Sequence, residues 1–138
     1  MSKARTYAKH KTEYKYETYL DLVKIRRHRV ALTKLRLSDH ILMIEVGRHR
    51  RPKLDIEQRL CKHCHDNIED EAHFLVTCLK HNYHKQLIDK IVENNPAYSN
   101  MTDQNQYTYI MNINNPMILN STAYSIHKLF KDKVSNNN

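Results

Sequence analysis

RLCKHCHDNIEDEAHFLVTC, residues 59–78, holds every cysteine of a 138-residue chain. Cys61, Cys64, His73 and Cys78 read as C-x2-C-x8-H-x4-C. Zinc takes four N or S ligands tetrahedrally, and a C-x2-C turn brings two thiolates to one ion while a second pair arrives from a later element. The fold is therefore expected to form around a zinc knuckle. Histidines are in surplus here: His63, His65, His81 and His84 also fall between positions 61 and 84. On a regular helix His73 and Cys78, five apart, are separated by about 140°, whereas Cys78 and His81, three apart, share a face. Spacing leaves the histidine ligand open. Three thiolates with one histidine make a closed set, so the ion would be structural and its binding coupled to folding. The competing reading, three small buried cysteines among solvated histidines, has to explain away a fairly specific pattern.

The length fits one domain over residues 1–138, since single cores usually serve about 100–150 residues. The expected parts are a basic helical arm and basic loop over 1–60, a knuckle with its helices over 59–92, and a C-terminal helix over 121–134. A single glycine, three prolines and sustained helical periodicity make the fold class mainly α, with at most a short β-hairpin beside the knuckle. Tyr16, Tyr19, Leu20 and Val23 mark a helix over 11–24. Over 26–37, His28, Ala31, Leu32 and Leu35 share an arc of about 100°, and Arg26, Arg27, Arg29, Lys34 and Arg36 lie outside it. Residues 41–46 are a short apolar run, strand or buried helical turn. GRHRRPK, residues 47–53, reads as a basic loop with a turn at Gly47, and the alternation over 54–60 as a short strand. Glu69, Asp70 and Glu71 suit a helix N-terminus. Leu75, Val76 and Leu79 give that helix its apolar face, and Leu87, Ile88 and Ile91 mark the next. Residues 100–115 read as a long connection. Ala123, Ile126, His127 and Phe130 line the last helix.

Charge is uneven. Residues 1–60 hold 16 Lys and Arg against seven Asp and Glu, and residues 61–138 hold seven against eight. Such asymmetry points to a polyanionic partner, nucleic acid before an acidic membrane surface. No apolar run approaches the ~18 residues of a membrane span, and the basic start lacks an apolar signal core. The expected location is intracellular, nuclear or cytoplasmic, where clustered cysteines serve as metal ligands rather than disulfides.

LTKLRLSDHILMIEVGRHRRP, residues 32–52, followed by RLCKHCHDNIEDEAHFLVTCLKHNYHKQL, residues 59–87, resembles the zinc-binding region C-terminal to the reverse transcriptase of non-LTR (LINE-type) retrotransposons and proteins derived from them. The resemblance covers about residues 20–92, with ILNSTAYSIHKLF a weaker match. It implies a CCHC ligand set of Cys61, Cys64, His73 and Cys78, and a nucleic-acid-binding accessory module. Neither a paired-aspartate polymerase motif nor a P-D…D/E-x-K nuclease pattern accompanies it here.

The leading expectation is a zinc-stabilised module that binds DNA or RNA mainly through phosphates, and not an enzyme. Arg26, Arg27, Arg29, Lys34 and Arg36 on the helix, with Arg48, Arg50, Arg51 and Lys53 in the loop, are the candidate contacts. Tyr7, Tyr14 and Tyr16 are candidates for stacking on bases, although Tyr16 and Tyr19 suit packing equally. The alternative is a zinc-knuckle protein-interaction adaptor. A metal-dependent nuclease using His65 or His73 with Asp66 or Asp70 is third, since three thiolates favour a closed site. Oligomeric state is not legible.

Overall fold

The computed structural model describes residues 17–78 and 84–136. The architecture is mainly helical: α1 Tyr19–Leu22, α2 Arg26–Arg36, α3 Met43–His49, α4 His84–Asn94, α5 Asp103–Met111 and α6 Pro116–Asn136. Single 3-10 turns lie at Ile56–Gln58 and Pro96–Asn100, and a π-turn at His73–Thr77. The only β pairing among the described residues is one antiparallel bridge between Leu60 and Ile68.

The core lies where α1, α2 and α4 pack against the long α6. On α2 the buried face is His28, Ala31, Leu32 and Leu35, the four residues whose spacing marks them in the sequence. On α6 it is Ile118, Leu119, Ala123, Ile126 and Leu129. Leu87 and Ile91 of α4 and Tyr107, Ile110 and Met111 of α5 join the same cluster.

Several expectations need correction. Of the helix expected over 11–24, only Tyr19–Leu22 is helical among the described residues; Tyr7, Tyr14 and Tyr16 lie outside them. Residues 41–46, left open between strand and helical turn, contribute to a helix, α3, and the departure is that it continues through Gly47 to His49. Gly47 has no positive φ and makes no turn; a Cβ there would sit 2.6 Å from Cγ of Arg59, so glycine is needed for close approach. The strand expected over 54–60 is a 3-10 turn, with Asp55 and Gln58 forming a reciprocal cap, followed by the bridge at Leu60. The expected connection over 100–115 contains α5, begun by Thr102, whose hydroxyl accepts from Asn105 N at 3.2 Å. The last helix starts five residues earlier than expected: Pro116 takes the first position, and Asn115 Oδ1 accepts from Met117 N and Ile118 N. Proline suits that position because its missing N–H would have no partner there.

Candidate metal centre

The knuckle is built from two chain passages. Cys61 N donates to Asn67 O at 2.8 Å and His65 N to Cys61 O at 2.9 Å, folding residues 61–67 into a tight loop that His65 turns at φ 62°. The Leu60–Ile68 bridge and the Glu69 N to Arg59 O bond close its base. Asp70 Oδ1 then accepts from His73 N at 2.8 Å, capping the turn that carries the second ligand pair, as a carboxylate at a helix start should.

The five-residue spacing between His73 and Cys78 is resolved by the π-turn. Cys78 N donates to His73 O at 2.8 Å, an i→i+5 bond. The wider turn brings residues five apart round to one side, which a regular α-helix does not. As a result the donor atoms of Cys61, Cys64, His73 and Cys78 all lie within 4.8 Å of one another. Cys61 Sγ and Cys78 Sγ are 3.9 Å apart, and Cys64 Sγ lies 3.4 Å from His73 Nε2. The three cysteines are free thiols, and the sulfur separation far exceeds the ~2.05 Å of a disulfide. Cys61, His73 and Cys78 are buried, and Cys64 is half-buried. This is a site able to hold a metal ion. His63 and His65 are not part of the tetrad; His81 lies outside the described residues, and the side chain of His84 is likewise not described. Burial, with Lys133 nearby, holds the His63 imidazole below its ordinary pKa.

Around the tetrad the acids divide their work. Asp70 caps, but Glu69 and Glu71 are buried and take partners in other elements. Glu69 Oε1 accepts from Met43 N at 2.8 Å, capping α3, and its other oxygen pairs with Lys133 of α6. Glu71 Oε2 pairs with His40 Nε2 at 2.6 Å and accepts from Ser38 Oγ at 3.0 Å. Phe74, on the π-turn, stacks on Phe130 of α6 with ring centroids 4.8 Å apart. The knuckle is thereby continuous with the helical core.

The basic residues divide as well. Arg26, Arg27 and Lys34 are exposed on α2, and Arg50, Arg51 and Lys53 are exposed after α3. Arg29 is half-buried, donating to Val23 O at 2.9 Å, and Arg48 pairs with Glu45 at 3.2 Å. Arg36 is a correction: it is 3% exposed, donates to Met111 O at the end of α5 and to Glu17, and lies over the Tyr19 ring. The cation serves a helix C-terminus inside the fold and is not offered to solvent. Arg26, Arg27 and Lys34 line one groove; Arg48 and Lys53 line a separate small cleft. Beside the tetrad, Glu57, Asp66, Asp70 and Asp103 line a cleft of about 520 Å³, which gives the knuckle an acidic flank.

No helix among the described residues is long and apolar enough to cross a membrane. Comparison of the chain with protein-family models, curated proteins and solved structures finds no match. The described residues form a small mainly-α domain that carries a Cys3His cluster.

Proposed function

We propose that the chain is a zinc-stabilised nucleic-acid-binding module that holds DNA or RNA chiefly through phosphates, akin to the accessory region of a retrotransposon reverse transcriptase. The observation that carries the reading is the convergence of the tetrad in a molecule that exposes Arg26, Arg27 and Lys34 on α2 and Arg50, Arg51 and Lys53 after α3. With Zn–S near 2.3 Å and Zn–N near 2.0–2.1 Å, a tetrahedral ion sets S···S at about 3.8 Å and S···N at about 3.6 Å. The separations of 3.9 and 3.4 Å fit that geometry. Bound zinc would supply a closed structural crosslink, with His73 donating through Nε2. Its Nδ1 is buried without a hydrogen bond among the described residues, so packing rather than a second bond orients the ring.

The contacts to phosphate narrow to Arg26, Arg27, Lys34, Arg50, Arg51 and Lys53, which are exposed, with Arg29 and Arg48 secondary because each already serves the fold. The acidic cleft repels phosphate, so the knuckle positions the binding surface and stays off the backbone itself. The test is a salt titration of duplex DNA and RNA binding by the zinc-loaded chain. Each of Arg50→Ala, Arg51→Ala and Lys53→Ala should reduce the slope of log K against log salt by about one, equally across sequences. Slopes unchanged after all three would remove the nucleic-acid reading.

A further inference from the structure

A concavity of about 820 Å³ runs between α2 and α6 and is lined also by residues 39–41. Its apolar lining includes side chains well exposed to water: Ile25 at 43%, Val30 at 40%, Ile41 at 39% and Val134 at 53%. Arg26, Arg27 and Lys34 stand on the α2 wall, and Asp39 is the acid there. Among the described residues these three cations make no side-chain hydrogen bond or ion pair. From Ile25 to Lys34 the wall is about 14 Å long at 1.5 Å per residue, the span of a helix of two to three turns.

The geometry points to this groove as the docking site for an amphipathic α-helix of a partner protein, apolar on one face and acidic on its flanks. Scattered exposed aliphatics need no explanation, but four lining one groove mark an interaction surface. Helix-in-groove recognition uses apolar anchors at i, i+3, i+4 and i+7, which suits a floor of this length. The cationic wall selects the sign of the flanks. The same wall argues against the other occupants. Residues 1–16 carry Lys3, Arg5, Lys9, Lys11 and Lys15 against Glu13 alone, so that segment is repelled by Arg26, Arg27 and Lys34. A second copy brings the same charges, with a net +8 per chain. A nucleic acid would engage the wall, yet its phosphates and sugars would leave the aliphatic floor wet. Phe130, which also lines the groove, already stacks on Phe74 and His40. This inference goes beyond the nucleic-acid reading, whose test rests on Arg50, Arg51 and Lys53.

The test is fluorescence anisotropy on the zinc-loaded full chain with three labelled probes: a synthetic 16-residue helical peptide with leucines on one face and glutamates on the flanks; a peptide of identical composition reordered to scatter the leucines; and a 12-nucleotide uridine oligomer. The amphipathic peptide should bind, and the reordered one should bind at least about tenfold more weakly. Val30→Gln and Val134→Gln, neutral changes at exposed positions, should together weaken the amphipathic peptide by about tenfold or more while leaving zinc content, circular dichroism and oligomer binding unchanged. Arg26→Ala with Arg27→Ala should weaken it by a smaller factor that disappears at high salt. Equal binding of both peptides, indifference to the valine changes, no peptide binding, or loss of oligomer binding in the valine variants would each overturn the proposal.

Discussion

Gly47 and Arg59 show how one residue's identity is set by another twelve positions away. Arg59 is 2% exposed, and its guanidinium donates to Ile44 O at 2.9 Å and to Leu54 O at 3.1 and 3.0 Å. Its stem crosses α3 where Gly47 has no side chain, and the three bonds prevent it from giving way. Gly47→Ala is therefore expected to destabilise the fold by about 1–3 kcal/mol, although alanine is the better helix former by ~1 kcal/mol; urea unfolding would measure it, and a stabilised variant would refute the steric argument. Sequence reading assigns Gly47 to a turn because glycine and a following proline are local signals, whereas the reason for this glycine is a tertiary contact. At the tetrad the same scale separates ligand from neighbour. Cys61→Ser, Cys64→Ser, Cys78→Ser and His73→Ala should each fail to retain one equivalent of zinc, while His63→Ala and His65→Ala retain it, as read by metal analysis after dialysis.

Between elements, buried charge replaces local signals. Glu69 is fully buried, caps α3 through Met43 N and pairs with Lys133, which is 1% exposed near the end of α6. Removing one partner strands the other charge, so Lys133→Met should cost about 3–5 kcal/mol, and Glu69→Gln with Lys133→Met together should recover most of that loss. A double-mutant cycle by urea unfolding measures the coupling, and additive losses would contradict it. The α2–α6 junction carries a pH dependence of its own. His28 and His127 lie with ring centroids 5.1 Å apart. Burial first, then the charges of His127 and Arg27, hold His28 below its ordinary value of 6.5; burial, Arg27, Lys131 and Lys128 do the same for His127. The folded state favours the neutral rings, so the unfolded chain binds more protons below pH 6.5. Stability from this pair is fully present above 6.5 and falls as pH drops through the lowered folded values. His28→Gln with His127→Gln should flatten the dependence in that window relative to the unaltered chain compared at the same pH, so that loss of metal in acid is common to both.

Across the whole molecule, the helical class and the cysteine knuckle were legible, because both rest on short-range periodicity and spacing: His28, Ala31, Leu32 and Leu35 announce one face of α2, and C-x2-C announces a knuckle, whereas spacing left the histidine open and only the resemblance pointed to His73. The parts that were not legible depend on partners distant in sequence. α3 begins where Glu69 supplies its cap, and Arg36 turns inward because the end of α5 needs a cation; neither fact is written within ten residues of the element concerned. The π-turn is intermediate, since a five-residue gap between His73 and Cys78 declares that a regular helix fails without saying what replaces it. This continuity between knuckle and core determines what removing the metal should do. Phe74 and Leu75 of the π-turn are fully buried, and Glu69 and Glu71 anchor α3 and His40 from the same passage. Structural zinc contributes on the order of 10 kcal/mol to folding in small modules, which matches the whole stability of a typical domain, about 5–15 kcal/mol. Metal removal should therefore not merely loosen residues 61–78; it should unfold the helices packed on them. A chelator titration followed by far-ultraviolet circular dichroism should show loss of helix in step with zinc release, restored by added zinc. If zinc left while α2 and α6 kept their helical signal and a cooperative melt, the knuckle would be an appendage to a self-sufficient bundle, and the role assigned to Phe74, Leu75 and Glu69 in joining them would be wrong.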